Sequence, residues 1–462
     1  MKQLVADFIT AITGKEKEFT KGSINRAIFM LSVPMILEML MESLFAVVDA
    51  FFVSNYVGVN GVATVGLTES VITLIYAVAI GLSMAATAMV SRRIGEKRPD
   101  EAAVAAMQAI IISSLIAIVL GIVGFFSASS ILEMMGASEE VIQEGVTYTR
   151  ILFASNIVIM LLFMLNSIFR GAGDASIAMR SLWIANILNI ILDPCLILGL
   201  GPFPELGLTG AAIATSIGRG TGVLYQLSIL FGMKSIIQIQ WQHFELRFDI
   251  IRRLLKVGLT GILQFVIASA SWIALMRLMA NFGSAAVAGY TIAIRIIIFT
   301  ILPAWGMANA AATLVGQNLG AGQAERAEQS VWRTAFFTML FLSFVAFLFY
   351  STADSIIQFF FQEGIAYNEG VKSLKIICLG YIFFAYGMVI GQAFNGAGDT
   401  ATPTWLNFIC FWLLQVPLAY LLSHTFYWGT SGVYWAVAGS ESVLALLSVW
   451  AFKRGTWKKV KI

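Results

Sequence analysis

The sequence predicts an all-α polytopic membrane protein with twelve transmembrane helices in two six-helix lobes. Three observations predict it. The chain is 59% hydrophobic and only 12% charged, with a mean hydropathy of +0.85. Soluble chains carry roughly 25% charge, so lipid is the expected solvent. The apolar residues fall in runs of about 20 or more, long enough to cross a bilayer as helix, and not in the short alternating runs of a β-barrel. Finally, the chain repeats itself at an offset of 225 residues. Val90-Ser-Arg-Arg-Ile-Gly95 returns as Val315-Gly-Gln-Asn-Leu-Gly320, and Arg170-Gly-Ala-Gly-Asp174 returns as Asn395-Gly-Ala-Gly-Asp399. Gly58/Gly283, Val62/Val287, Ala63/Ala288, Gly81/Gly306 and Ala102/Ala327 keep the same spacing.

Residues 1–25 form the first element. Leu4, Val5, Phe8, Ile9 and Ile12 follow helical spacing and Lys15-Glu-Lys-Glu18 follows them. This reads as a short amphipathic helix lying on the membrane rather than a cleavable signal, with a frayed tail as the alternative. The first lobe, 26–233, has spans near 27–53, 62–90, 103–126, 147–169, 177–199 and 208–233. Residues 234–249, the most polar stretch in mid-chain, are the linker. The second lobe, 250–453, has spans near 250–280, 285–315, 330–351, 371–395, 402–423 and 431–452. A basic tail, 454–462, closes the chain.

Lys and Arg set the orientation. With loops assigned alternately to two sides, the side bearing both termini collects 23 of the 29 basic residues, and the other holds Arg150, Lys372 and Lys375. Both termini are therefore expected in the cytoplasm, in a cell (inner) membrane. Six helices per lobe is an even number, so equivalent helices run the same way. The lobes are then a parallel repeat about an axis along the membrane normal, the arrangement of many secondary transporters, with a cleft that opens to either side by rocking.

Other classes find no support. No basic stripe with interleaved aromatics suggests nucleic acid. Cys195, Cys378 and Cys410 lie in apolar runs without CxxC spacing and read as small buried hydrophobes. His243 and His424 are isolated in loops, so no metal cofactor is expected. No Gly-x-x-x-x-Gly-Lys-Ser/Thr motif exists, which leaves an ion gradient as the driving force. An intramembrane enzyme would need a nucleophile–base or metal cluster, and the spans hold no histidine.

The chain resembles the multidrug and toxic compound extrusion family, within the multidrug/oligosaccharidyl-lipid/polysaccharide exporter superfamily, from Arg26 to about Lys453. The resemblance rests on Pro34 and Phe45-Ala-Val-Val-Asp49-Ala-Phe-Phe in helix 1, on the Gly-Ala-Gly-Asp motifs closing helices 4 and 10, and on the Gly95 and Gly320 loops after helices 2 and 8. It looks most similar to the DinF-like branch, whose carboxylates sit in the first lobe on helices 1 and 5. Asp49, Asn189 and Asp193 match that pattern, and the family's ion-site positions on helix 6 fall near Ala211 and Thr215. The chain departs from the NorM-like pattern. Helix 7 carries Arg277 and no acid, and helix 10 has none before Asp399. No cofactor is expected; the coupling ion is expected to be H⁺ or Na⁺, and the carboxylates and amide of Asp49, Asn189 and Asp193, with a freed backbone carbonyl, suit either a proton relay or Na⁺. The chain also departs at the start of helix 7, where Val257-Gly-Leu-Thr260 replaces the usual proline.

Ionisable residues inside a span are costly and are functional candidates by default. At 100° per residue Glu38, Glu42 and Asp49 share one face of helix 1 within about 40°. Asn186, Asn189 and Asp193 share one face of helix 5, and Pro194 frees a backbone carbonyl near Ile190. Asp49 and Asp193 are the expected coupling pair. Glu38 and Glu42 either contact a cationic substrate or pair with Arg277 or Arg295 across the lobes. Glu69, at the repeat position of Ile294, is placed to pair with Arg295, or less readily to carry a proton. Arg219, whose near-repeat counterpart is Glu441, reads as a snorkelling residue. In the two motifs, Gly171, Gly173, Gly396 and Gly398 are expected to allow tight turns and close packing, with Asp174 and Asp399 capping the next helices. Met84, Met89, Met164, Met276, Met279, Met307 and Met388, with Phe45, Tyr76, Trp272, Trp305, Tyr381 and Tyr386, supply aromatic and adaptable surface for flat lipophilic cations, or ordinary packing. The expected function is exchange of H⁺ or Na⁺ for organic cations or drugs by a monomer in contact with membrane lipid. A lipid or lipid-linked saccharide flippase of the same superfamily is the alternative.

Overall fold

The computed structural model describes residues 2–14, 18–232 and 235–462. Lys15, Lys17 and Lys234 of the expected charge pattern lie outside the described residues. Among the described residues there is helix and no strand. The first helix, α1 (Lys2–Thr13), rests against its neighbours through Ala11 and leaves Val5, Phe8 and Ile9 exposed.

The first half continues with α2 (Ile24–Tyr56), α3 (Gly58–Gly95), α4 (Pro99–Met134), α5 (Glu139–Ala154), α6 (Asn156–Ala172), α7 (Ala175–Leu198) and α8 (Leu208–Phe231). A single 3-10 turn, Trp241–Phe244, lies in the linker. The second half holds α9 (Phe248–Ala280), α10 (Ser284–Gly320), α11 (Ala324–Gln358), α12 (Ile365–Cys378), α13 (Tyr381–Ala397), α14 (Ala401–Asn407), α15 (Val416–Tyr420) and α16 (Thr430–Lys453). By length and composition, nine helices among the described residues are apolar enough to cross a membrane, and the α12–α13 pair makes a tenth. Helices α2 and α8, of 33 and 24 residues, complete twelve spans.

Two expected spans are broken, and they break at repeat-equivalent residues. Ser155 separates α5 from α6, and Gly380 lies between α12 and α13, which bend by 59°. Gly380 packs on the backbone of Ala438, where a side chain would press. The eleventh span is α14 and α15 joined by π-helical segments Phe408–Gln415 and Leu421–Thr425. Pro417 cannot donate to the carbonyl one turn back, and the ladder widens around it. By contrast α9 runs unbroken through Val257–Thr260. His243 is not a free loop residue: its ring caps the linker turn by accepting from the Gln240 amide at 3.1 Å.

Separate apolar cores hold the two halves together. One runs from Val53 to Val257 and the others lie within 275–457. A small fourth core, with Leu31, Met35, Ala310 and Leu314, joins α2 to α10. The halves meet with the symmetry of the repeat. Gly81 on α3 packs against the α9 backbone at Gly258 and Ile262, and its mate Gly306 on α10 packs against the α2 backbone at Met35 and Ile36. Gly95 abuts the backbone of Gln317, and Gly320 abuts that of Arg92. Residue i meets j and j's mate meets i's, the signature of a two-fold relation. These last contacts lie at the end that carries both chain termini, where Phe19 covers Gly173 and Ile462 covers Gly398.

Candidate functional site

The acidic face of α2 turns into its own half. Glu38 is 1% exposed. Its Oε1 accepts from Arg170 Nη1 at 3.3 Å and from Asn166 Nδ2 at 3.2 Å, while Gln226 donates to Asn166 Oδ1 at 2.6 Å. One turn on, Glu42 Oε1 lies 3.4 Å from Arg219 Nη2, and Glu42 Oε2 accepts from Asn186 at 3.2 Å. Arg219 also donates to the Tyr76 hydroxyl at 3.0 Å and sits 5.5 Å from the Phe45 ring centroid.

Arg277 and Arg295 are therefore not the partners of Glu38 and Glu42. Both are exposed, on α9 and α10, and make no ion pair among the described residues. Arg170 belongs to the last turn of α6 rather than to a loop. Long helical side chains point back toward the N-terminus of their helix, which carries the guanidinium into the bundle. Arg219 is buried, not snorkelling, because Glu42 and Tyr76 satisfy it there. Sequence reasoning also passed over Asn166, Gln226 and Asn395. The i, i+4 spacing of Asn166 and Arg170 was the available signal.

The second cluster joins α7 to α8. Asp193 is fully buried. With its amide turned to match donors to acceptors, Asn189, one turn earlier, donates to Asp193 Oδ2 at 2.9 Å while its Oδ1 accepts from the Thr215 hydroxyl at 3.2 Å and the Thr215 amide at 3.0 Å. Ala211 is buried one turn before Thr215 and offers no polar side-chain atom. Asp49 is half-buried on α2, within electrostatic reach of Asp193 and Arg219. The buried Tyr148 lies within electrostatic reach of Asp49, Glu69, Tyr76 and Asp193. Glu69 is exposed and forms no direct ion pair among the described residues, although the charges of Asp49, Arg219 and Arg295 reach it. Among the described residues no three His, Cys, Asp or Glu side chains converge as a metal site. The Asp193–Asn189–Thr215 set supplies a carboxylate, an amide and a hydroxyl, oxygen ligands that suit a proton or Na⁺.

Between the halves lies a cavity of about 300 Å³. Glu38, Glu42, Asn166, Arg170 and Arg219 form its first-half wall, and Asn309, Thr313, Gln392 and Asn395 its second-half wall. Met39, Ser83, Met84, Phe163, Phe265 and Trp305 are among the other residues that line it. Of the soft and aromatic side chains singled out in the sequence, Met84 and Trp305 line this cavity. Met89, Met164, Met279, Met307 and Tyr381 are buried in the cores. A chamber that is apolar with a few convergent polar groups has the make-up of a small-molecule site.

The Gly-Ala-Gly-Asp motifs close it at the end bearing the termini. Gly173 and Gly398 take left-handed φ of 87° and 85°. Gly171 and Gly396 sit on the backbones of Thr87 and Ala312, themselves repeat mates. Asp399 accepts from the Thr402 amide at 3.2 Å and hydroxyl at 2.7 Å, and Asp174 accepts from Ser176 at 3.2 Å. Each motif is gripped from the opposite half. Arg92 reaches the Ala397 carbonyl at 3.4 Å, and its mate Gln317 reaches the Gly171 carbonyl at 3.1 Å.

Twelve membrane spans in two repeat-related halves, with a chamber between them, are the architecture of a membrane transporter. The MatE family model matches the chain twice, over residues 34–195 and 261–421, once in each half. The chain belongs to that family, the multidrug and toxic compound extrusion transporters, and is not an enzyme. It is 25% identical over 446 residues to the probable multidrug resistance protein YoeA of Bacillus subtilis, covering 96% of each chain. It is 26% identical to an FAD transporter of Shewanella oneidensis, covering 87% of this chain and 88% of the relative. A solved outward-facing structure of a multidrug resistance family transporter of the MOP superfamily superposes with a TM-score of 0.90 at 27% identity, covering 96% of this chain and 99% of that one.

Proposed function

We propose that this transporter exports organic cations or drugs in exchange for H⁺ or Na⁺, with both termini in the cytoplasm. The observation that carries the proposal is the buried Asp193 carboxylate, held by Asn189 beside Thr215 and within reach of Asp49 on the neighbouring helix. A carboxylate removed from water demands a compensating proton or cation. Binding one and releasing it to the opposite side couples the gradient to rocking of the halves. The lobes touch at the terminal end through Arg92 and Gln317, which supports access to the chamber from the far side.

A cargo of opposite charge, such as that of the FAD transporter, finds less support here. Arg170 and Arg219 both face the cavity, yet each is already paired with a glutamate. In proteoliposomes a proton gradient and a sodium gradient, applied separately, are expected to differ in driving a fluorescent lipophilic cation. Asp49→Asn and Asp193→Asn should each abolish the driven component while leaving cation binding within about threefold. Undiminished driven transport in both variants would remove these acids from coupling.

A further inference from the structure

Three side chains of the cavity wall have a buried polar atom with no partner among the described residues: the Ser83 hydroxyl, which can donate as well as accept, and two acceptors. Glu38 Oε2 has no partner among the described residues, its other oxygen taking both Arg170 and Asn166. Asn395 Oδ1 has none either, its amide nitrogen donating to Gln392 at 3.3 Å. Both residues are at least nine-tenths buried, 1% and 2% exposed. Both line the same chamber, from opposite halves. A buried polar atom left unpaired is costly, and native structures rarely leave one without a purpose.

The repeat explains how the second orphan arises. Asn395 is the mate of Arg170, at the same place before the motif glycine. In the first half that place holds a cation, which Glu38 neutralises. In the second half it holds an amide, and the residue equivalent to Glu38 is Leu263, which is exposed. The substitution of Asn for Arg thus puts an unmatched acceptor where the first half has a donor, on a residue that lines the chamber.

Charge alone does not define the ligand. The two glutamates in the wall are matched by two arginines, so the chamber offers little net negative potential. What the Glu38 Oε2 and Asn395 Oδ1 atoms lack is a hydrogen-bond donor. We infer that Glu38 and Asn395 form a donor-selecting subsite, which admits organic cations bearing N–H groups, amidines or guanidines, in preference to quaternary onium ions of similar size. An amidinium presents N–H groups on a planar edge and can donate to an acceptor in each half, whereas a quaternary centre leaves both orphans unmet. This inference rests on the organic-cation reading above and names which cations that site prefers.

The test compares binding of an aromatic bis-amidine and a tetraarylphosphonium of similar size to the full chain in nanodiscs. The wild type should favour the amidine by about tenfold or more, the scale of one charge-assisted hydrogen bond. Asn395→Leu should bring the ratio toward one. If that variant does not fold, Asn395→Asp and Glu38→Gln decide: the first keeps an acceptor and should keep the preference, and the second supplies a donor and should lose it. Equal affinity of the two ligands for the wild type, or the same ratio in Asn395→Asp and Glu38→Gln, overturns the subsite while leaving organic-cation export standing. Binding of neither ligand overturns the export reading and the subsite with it.

Discussion

The fate of the membrane charges was decided residue by residue. The sequence showed that Glu38, Glu42 and Asp49 share a face, because helical periodicity fixes angles without any tertiary knowledge. It did not show which cations meet them. Arg170 reads as a loop residue from charge and Arg219 as a helix-end residue, and both turned out to be partners. Long side chains cover several ångströms, so partner choice depends on how helices pack. Breaking a buried pair on one side leaves an uncompensated charge, at a cost of about 3–5 kcal/mol. Arg219→Met is expected to lower the thermal unfolding midpoint in detergent sharply. Glu42→Leu combined with Arg219→Leu should recover most of the loss, since replacing both partners removes the stranded charge. A double variant as unstable as the single would show that Arg219 acts through Tyr76 and Phe45 instead.

Single helices carry the repeat into contacts. Gly95 and Gly320 stand out in the sequence as loop residues matched across the halves. Their structural role is to let α3 and α10 approach so closely that a Cβ on either meets the opposite backbone. Gly320→Val should therefore wedge the halves apart at the terminal end without disturbing either core. Spin labels at Glu96 and Ala321, at the ends of the two helices, should move apart once Gly320→Val is added. An unchanged distance would mean that the α3–α10 contact does not depend on that glycine. The broken spans were less legible. Ser155 and Gly380 occupy matched positions, but neither residue alone breaks a helix in an apolar run, and the break reflects how the flanking helices seat on their neighbours.

Across the whole molecule the two-fold relation predicts a symmetric latch. Arg92 and Gln317 are mates, and each binds the motif turn of the other half. Two weak bonds on opposite sides of one axis act together, because rocking breaks both. Arg92→Ala with Gln317→Ala should shift the population toward opening at the terminal end. Spin labels at Glu96 and Ala321, on the two facing loops, should report a longer distance in the double variant. Either single variant should show a smaller shift. No lengthening in the double variant would place the latch elsewhere, for instance in Arg326, which holds the carbonyls of Phe19, Lys21 and Gly22.

The sequence by itself determined the solvent, the number of spans, the duplication and the face on which the acids lie. These follow from composition, run length, offset and helical angle, all of which are local or self-comparing. It also singled out Asp49, Asn189, Asp193 and Thr215, through spacing and resemblance. Only the tertiary structure decided that Arg170 and Arg219 neutralise the glutamates, that Gln317 and Arg92 grip opposite motifs, and that Glu38 and Asn395 share one chamber with acceptors unmet. Those facts join residues more than a hundred positions apart in different helices. The register and tilt that bring them together are set by packing between helices, which periodicity along one helix does not encode.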